Sequence, residues 1–577
     1  MRRHYAFPLA PQVGVNRWDL IAAALAIGAI AFVAAAVQPM RTPLAVLEAT
    51  PVSLSPAHLP SYALHTTFRM FAALAISLVF ALAVGTLAAR SARARSILLP
   101  LLDVGQSVPV LGYLSITVVA FLRLFPGSAF GAELAAIFAI FTSQVWNITF
   151  SVYQSMRTVP AELAEAARSM RMSAWQRFWH LDVPFATPGL VWNMMVSMSG
   201  AWFFVVASEA IVVGSWQLPL PGIGSYLAQA IAQRDLAAVA WALGAMMLVI
   251  ALYDTLMFRP LVAWSDKFRL GAARAGGAPR SWVLTVWRRT HALRRLGVLI
   301  RSLLQRATLP RHARAAARLR APRPAIRLPA DGAGAVAWWL SLAAVAAALL
   351  FYGWRFLADI EASEWLHVFL LGCASLARVL AVTLLATMLW VPVGVWIGLH
   401  PRWTARIQPL VQYLAAVPAN LLYPLAVFVI VRWQLNHDLW LSPLVVLGAQ
   451  WYILFNVIAG TSAIPQELLQ VSSNLQLTRW LRWREVLLPG IAPYIVTGAL
   501  TAWGGAWNAT IVAEVVHWGD QRLIAHGLGA YITVHTEAGD YARIALGVAM
   551  MAAFVVFFNR LLWRPLYNAM ERRFRLG

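Results

Sequence analysis

Charge is scarce in this sequence, and lysine and cysteine scarcer still. Only 12% of the 577 residues are charged, while 60% are hydrophobic. A soluble domain carries about 25% charged residues, so an ordinary soluble protein is excluded and the chain belongs in a membrane. Of the 46 basic residues one is a lysine, Lys267, in Trp-Ser-Asp-Lys-Phe. A phosphate-binding loop sets its lysine in Gly-Lys-Ser/Thr, so the chain has no Walker nucleotide site. The one cysteine, Cys373, excludes an internal disulfide and a cysteine metal cluster. The twelve histidines show no paired ligand spacing on one helix face, and no nucleophile stands beside a base. No catalytic and no metal-binding residue is therefore assigned. The net charge of +23 would suggest nucleic acid in a soluble protein. In a membrane chain basic residues gather in cytoplasmic loops, and lipid rather than nucleic acid is the expected contact.

What is present is a series of apolar runs of spanning length, since a membrane helix needs roughly 20 residues. They centre on 18–37, 66–89, 97–122, 134–156, 186–213 and 237–258, then on 333–354, 367–399, 407–431, 440–463, 491–516 and 541–563. This predicts an all-α polytopic membrane protein with twelve transmembrane helices in two groups of six. Basic loops alternate with acidic ones: Arg90, Arg93, Arg95, Arg157, Arg168, Arg177, Arg402 and Arg406 on one side, and Asp359, Glu361, Glu364, Asp520, Glu537 and Asp540 on the other. By the positive-inside rule both termini are cytoplasmic. The first run resembles the apolar core of a signal peptide, but it is long for one, and it is read as a retained helix.

The chain repeats itself. A shift of 305 residues pairs Pro160 with Pro465, Trp175 with Trp480, Pro184 with Pro489, Gly200-Ala201-Trp202 with Gly505-Ala506-Trp507, Glu209 with Glu514, and Gly222 and Gly224 with Gly527 and Gly529. Earlier in each half the shift is 309, pairing Arg69 with Arg378 and Pro109 with Pro418. Composition bias does not hold Trp, Glu, Gly and Pro in register over such a distance, so two homologous units are fused in tandem. The expected boundaries are 1–264 and 333–577 for the two units and 265–332 for a linker. With an even number of helices each, the units face the same way and are expected to relate by a pseudo-two-fold along the membrane normal. The segment 265–331 carries 16 basic residues. Within it, apolar positions at helical spacing over 282–305 alternate with arginines, the pattern of a helix lying on an anionic membrane surface or meeting a regulatory partner.

Between the fourth and fifth helices of the first unit runs Pro160-Ala-Glu-Leu-Ala-Glu165-Ala166-Ala167, ending at Leu181-Asp-Val-Pro184. This resembles the EAA loop of binding-protein-dependent ABC transporter permeases, a Glu-Ala-Ala followed at fixed spacing by Gly and then Ile-x-Leu-Pro. Arg171 occupies the glycine position, and its mate is Gln476. In the second unit Gln470-Val471-Ser472 replaces Glu-Ala-Ala, while the ending at Pro489 is kept. The glycine's turn is therefore expected to be built some other way. Trp202 to Glu209 and the following Pro-Gly222-Ile-Gly224-Ser-Tyr226 resemble permeases for nitrate, sulfonate, taurine and bicarbonate, and the whole resembles the duplicated branch of that group.

The resemblance implies the permease of an ATP-driven importer in a bacterial inner membrane, moving a small anion. It also implies two partner ATPase subunits that carry ATP and magnesium, and a solute-binding protein outside; the chain itself needs no cofactor. Glu165, Ala166, Ala167, Arg171 and Pro184, with Gln470, Val471, Ser472, Gln476 and Pro489, are the expected ATPase-coupling residues. A pathway between the units is expected along Tyr113, Trp202, Tyr423 and Trp507. Glu209 and Glu514 are read either as residues at the outer interface or as a gate, and Arg69 and Arg378 either as snorkelling or as attracting an anion. Gly222, Gly224, Gly527 and Gly529 are expected at tight outer turns that need glycine's conformational freedom. A twelve-helix secondary transporter driven by an ion gradient is the rival reading.

Overall fold

The computed structural model describes residues 52–213, 216–268, 282–289 and 353–574, with a few isolated positions besides. The expected helices at 18–37 and 333–354, and nearly all of the linker, lie outside the described residues. By internal contacts the chain divides into two compact units. One holds 158–191 and 253–344 with the N-terminal 37 residues; the other holds 38–157, 192–252 and 345–577.

In the first half the described helices are α1 (Leu59–Arg90), α2 (Ala92–Ser107), α3 (Val110–Leu124), α4 (Ala129–Arg157), α5 (Ala161–Ser169), α6 (Val183–Glu209), α7 (Ile223–Ala232) and α8 (Leu236–Tyr253). The second half gives α9 (Ala362–Gly398), α10 (Pro401–Ala416), α11 (Tyr423–Arg432), α12 (Ser442–Leu447), α13 (Gln450–Ser462), α14 (Gln466–Asn474), α15 (Leu488–Ala513), α16 (Leu528–Ala538) and α17 (Tyr541–Phe558). Among the described residues seven helices are long and apolar enough to cross a membrane, or up to ten if each bent pair counts as one span. The bent pairs fall in three of the predicted runs, 97–122, 407–431 and 440–463. A bend is legible in the first of them from Val108-Pro109, because proline disfavours a helical residue before it.

The described residues are mainly helical, as expected, with short strands besides. One antiparallel hairpin follows α6 and another follows α15. β1 (Ala210–Val213) pairs with β2 (Trp216–Pro219), Ala210 opposite Pro219, and β3 (Val515–Trp518) pairs with β4 (Gln521–Ile524), Val515 opposite Ile524. These are the same positions under the 305 shift. The hairpins were not legible because the apolar run continues through Val212 and Val516 without a break, and periodicity alone does not separate a short apolar strand from a helix end.

The apolar core of the larger unit gathers around α15, where Trp503, Trp507 and Ala506 are enclosed by Val368, Ile453, Leu546 and Phe554. The halves repeat their packing in detail. A Cβ on Gly85 of α1 would lie 2.9 Å from Val152 of α4, and one on Gly394 of α9 would lie 2.7 Å from Val457 of α13. These mates are 309 apart at one helix and 305 at the other, so the second half is four residues shorter in the helix equivalent to α4. Four residues are a little over one turn, leaving the faces about 40° from their former register. The continuous α4 is replaced there by a helix broken between α12 and α13, with a 45° bend.

Candidate functional site

Arg69 sits on α1 in a stretch with no other charge between His65 and Arg90. A guanidinium there must meet carboxylates or leave its charge buried and unpaired. It meets two. Nε and Nη2 donate to the two oxygens of Glu133 on α4, each at 2.6 Å, and Nη1 donates to Glu209 Oε1 at 2.7 Å and to the Pro221 carbonyl at 3.0 Å. The paired forks of guanidinium and carboxylate make the strongest class of hydrogen bond. Arg69 is 1% exposed, and Glu133 and Glu209 are buried with it. Arg69 does not snorkel, then, and Glu209 does not rest at a solvated interface. Glu133 escaped the sequence reading altogether. The signal that would have found it is charge balance, since a lone arginine in an apolar helix calls for an acid in another.

The Glu209 carboxylate also organises the chain beyond α6. Its Oε2 accepts from the Gly224 N–H at 2.7 Å, in the first turn of α7, where free N–H groups and the helix dipole favour an anion. The Glu209 carbonyl accepts from Leu220 N–H and from the Ser225 hydroxyl, which closes the hairpin onto the helix start. Thr66 on α1 accepts from the Ile223 N–H at 3.0 Å. This packing is why glycine stands at 222 and 224. Gly222 has an extended backbone at φ −179 and Gly224 lies within α7, so neither position needs glycine's freedom. A Cβ at 222 would instead overlap the Glu209 carboxylate, and one at 224 the Val206 carbonyl. Gly527 and Gly529 stand in the same relation to Glu514 and Thr510. The expectation of a tight turn is corrected to one of close approach.

In the second half Arg378 meets Glu514, which accepts further bonds from the Ser375 hydroxyl at 2.7 Å and the Ala530 N–H at 3.0 Å. The Leu528 N–H donates to Ser375, the mate of Thr66. Here the likeness ends. Where Glu133 would stand is Ser442, which accepts from Arg378 Nε at 3.1 Å. The second carboxylate comes from Asp438, 3.6 Å from Arg378, 47% exposed and held by the backbone and ring of His526.

A cavity of about 370 Å³ lies between the halves. Leu111 and Ser115 of α3, Leu227 and Ile231 of α7, Tyr423 of α11, His517 of β3 and Glu537 of α16 are among the residues lining it. Tyr423 also lines a smaller cavity of about 80 Å³ beside Phe203 and Tyr452. Of the four expected pathway residues only Tyr423 lines either cavity. Trp202 and Trp507 are fully buried and Tyr113 is half-buried on α3. Large indoles on a helix that packs on several neighbours serve the core before they serve a path. Burial pushes the His517 imidazole below the ordinary histidine value, with the opposing pull of Glu537 outweighed and Arg522 adding to the effect. Among the described residues no three His, Cys, Asp or Glu side chains come together to hold a metal.

Of the coupling candidates, Glu165, Ala166 and Ala167 fall on the short helix α5, and Gln470, Val471 and Ser472 on the short helix α14. Glu165, Ala166 and Arg171 are exposed and Ala167 is buried; Gln470, Val471 and Gln476 are exposed and Ser472 is buried. Pro184 and Pro489 each stand at the second residue of the long helix that follows, or its first turn. Arg171 and Gln476 take left-handed conformations, φ 50 and 48. Met172 N–H reaches the Ala167 carbonyl, and Leu477 N–H the Ser472 carbonyl, which is the helix ending that usually carries glycine. The turn is therefore built as glycine would build it, by residues that strain to do so, and the expectation of another construction is corrected. Glu165 lies 3.6 Å from Arg168, both largely exposed.

Comparison with known proteins matches these features. The family described as "Binding-protein-dependent transport system inner membrane component" matches twice, over residues 81–259 and 390–576, together more than half of the chain. The chain is 30% identical over 187 residues to the bicarbonate transport system permease protein CmpB of Synechococcus elongatus, covering 32% of this chain and 64% of that protein. It is 25% identical over 198 residues to the taurine transport system permease protein TauC of Escherichia coli, 34% of this chain and 67% of that one. It is 34% identical over 169 residues to the glycine betaine/proline betaine transport system permease protein ProW of Escherichia coli, 28% of this chain and 44% of that one. The match thus spans less than two thirds of the bicarbonate relative's length. Two copies of one domain, each with its short exposed helix, following long helix and hairpin, identify this chain as a duplicated member of the binding-protein-dependent transport system inner membrane component family, an integral membrane permease.

Proposed function

We propose that this chain is the complete membrane-spanning part of an ATP-driven importer in a bacterial inner membrane. The twelve-helix reading adds the runs at 18–37 and 333–354 to the up to ten described spans, with both termini cytoplasmic. A pseudo-two-fold between the halves is supported by reciprocal contacts. The Asn508 side chain of α15 accepts from the Val110 N–H at the start of α3, and Asn420, ahead of α11, donates to the Phe203 carbonyl of α6. Phe203 and Asn508 are mates under the 305 shift, and Val110 is the mate of Ala419.

Two ATPase subunits, carrying ATP and magnesium, would dock on α5 and α14, and a solute-binding protein would deliver solute from outside. ATP binding draws the ATPases together, the short helices follow, and α6 and α15 carry the movement to the cavity. The observation that carries this reading is the pair of short helices with exposed Glu165-Ala166 and Gln470-Val471, each leading into the long helix that ends at a buried glutamate. The relatives' names include bicarbonate, taurine and glycine betaine/proline betaine, so the solute is read as a small charged or zwitterionic molecule, with an anion as the resemblance implies.

The experiment is purification of the tagged chain from its native membrane, followed by uptake in proteoliposomes. An ATPase subunit should copurify, and uptake should need ATP. Uptake by the chain alone under an ion gradient would establish the secondary-transporter reading instead.

A further inference from the structure

The two hairpins follow α6 and α15 at the ends away from the short helices α5 and α14, and their sequences provide for different fastenings. At its base the β3–β4 hairpin is tied to its own half, where Arg522 of β4 meets Glu537 of α16 at 2.7 Å. At its tip it is tied to the other half. The Gly519 N–H donates to the Ile231 carbonyl of α7 at 3.0 Å, and Asp520 Oδ2 accepts from Arg234 Nη2 at 2.9 Å. The Arg234 side chain crosses the turn so closely that a Cβ on Gly519 would fall 2.0 Å from its Nε. Under the 305 shift the mates of Arg522 and Glu537 are Gln217 and Ala232, and those of Arg234 and Asp520 are Gly539 and Ser215. None of these four carries a charge, so neither ion pair has a counterpart in the β1–β2 hairpin.

Arg234 is also strained. It stands just past α7 in a left-handed conformation, φ 56, whereas its mate Gly539 takes the same conformation, φ 73, with the residue suited to it. An arginine kept where its twin has glycine points to a use for the side chain. The use visible here is the clip over Gly519 and Asp520.

The clip joins two walls of the cavity. β3 lines it with Val515, Val516 and His517, and α7 lines it with Leu227, Ala228 and Ile231. The fastening is light. Arg234 is half-exposed and Asp520 fully exposed, and an ion pair in water is weak and screened by salt. Such a contact can break and re-form in every transport cycle, whereas separating the buried charges around Arg69 is costly.

We propose that the β3–β4 hairpin is the outer gate of the cavity and that Arg234 is its catch. The gate is carried by the second half and clipped to the first, and it works from one side only. This rests on the reading of the chain as an importer with its short helices in the cytoplasm, but opening of the gate is read without the ATPase.

The full chain is placed in right-side-out membrane vesicles with Cys373→Ser and with Ser115→Cys as a reporter lining the cavity. A charged, membrane-impermeant thiol reagent is added outside. Labelling should be slow with the clip intact and about fivefold faster in Asp520→Asn and in Arg234→Gly, the shift expected from losing an exposed ion pair. Arg234→Gly restores the residue found at its mate, so it keeps the turn while removing the catch. Raised salt should speed labelling of the clipped chain and leave both variants unchanged. In a chain carrying Arg234→Cys and Asp520→Cys, bridging the two thiols with a short bis-methanethiosulfonate should abolish ATP-driven uptake, and a reductant should restore it. Labelling as fast with the clip as without it, or uptake that survives the bridge, would overturn the proposal. Faster labelling in the clip variants with no ATP-driven uptake even by the unaltered chain would support the gate and count against the importer reading alone.

Discussion

The two halves of this permease descend from one domain but hold their outer helices together differently. In the first half Arg69 is sealed between two buried carboxylates, Glu133 and Glu209. In the second, Arg378 keeps one buried carboxylate, Glu514, replaces the other with Ser442, and leans on a half-exposed Asp438. The first cluster holds one more acid than base in a dry setting, where removing one partner of a buried pair is far costlier than the net worth of the pair. The second shares its charge with water. A duplicated chain can drift this way because each half meets only its own neighbours, whereas a homodimer of one domain must keep both clusters alike.

The largest expected effect follows from stranding those acids. Arg69→Met leaves two carboxylates unpaired and should cost about 3–5 kcal/mol. Arg378→Met should fall at the low end of that range or below it, because it strands one buried carboxylate, Glu514, where Arg69→Met strands two. Thermal unfolding of both variants in one detergent compares them, and equal losses would break the contrast.

A swap sharpens the same point. Glu133→Ser gives the first half the second half's arrangement and removes charge-assisted bonds worth about 1.5–3 kcal/mol each. Ser442→Glu offers Arg378 a nearer partner beside one it already has. The first should destabilise clearly and the second hardly at all; the reverse order would mean that Asp438 does not share the load.

The short helices proposed to meet the ATPases, α5 and α14, differ more modestly. Glu165 can form charge-assisted bonds to a partner's arginine, roughly twice as strong as the neutral bonds open to Gln470. Glu165→Arg should therefore reduce ATP-driven uptake and stimulated ATPase activity more than Gln470→Arg. Equal defects in both assays would remove the asymmetry of coupling. The smallest effect is expected at Arg171 and Gln476, whose left-handed backbones favour glycine. Arg171→Gly and Gln476→Gly should each stabilise by about 0.4–1 kcal/mol, the strain relieved outweighing the freedom added to the unfolded chain, as read by unfolding midpoint.

Much of this was legible in the residues. The duplication and the described spans followed from repeats at 305 and 309 and from apolar runs, because membrane helices must satisfy their own backbone and so declare themselves by length. The clusters were only half legible. Arg69 and Glu209 stood out as charges in apolar surroundings, but their pairing joins residues 140 positions apart, and no local pattern reports that distance. Glu133 lay at the edge of its run, where an acid is ordinary. The glycines drew notice for the wrong reason, since a sequence cannot separate a glycine that turns the chain from one that makes room for a carboxylate. Trp202 and Trp507 show the opposite error: aromatic residues matched between the halves suggested a path, and they pack the core.

In the proposed importer, one chain with two unequal halves takes the place of two separate permease subunits. Native mass spectrometry of the complex purified from its own membrane tests this most directly. The predicted result is one copy of this chain with two ATPase subunits; two copies of the chain in one complex, or a chain that carries no ATPase, would contradict it.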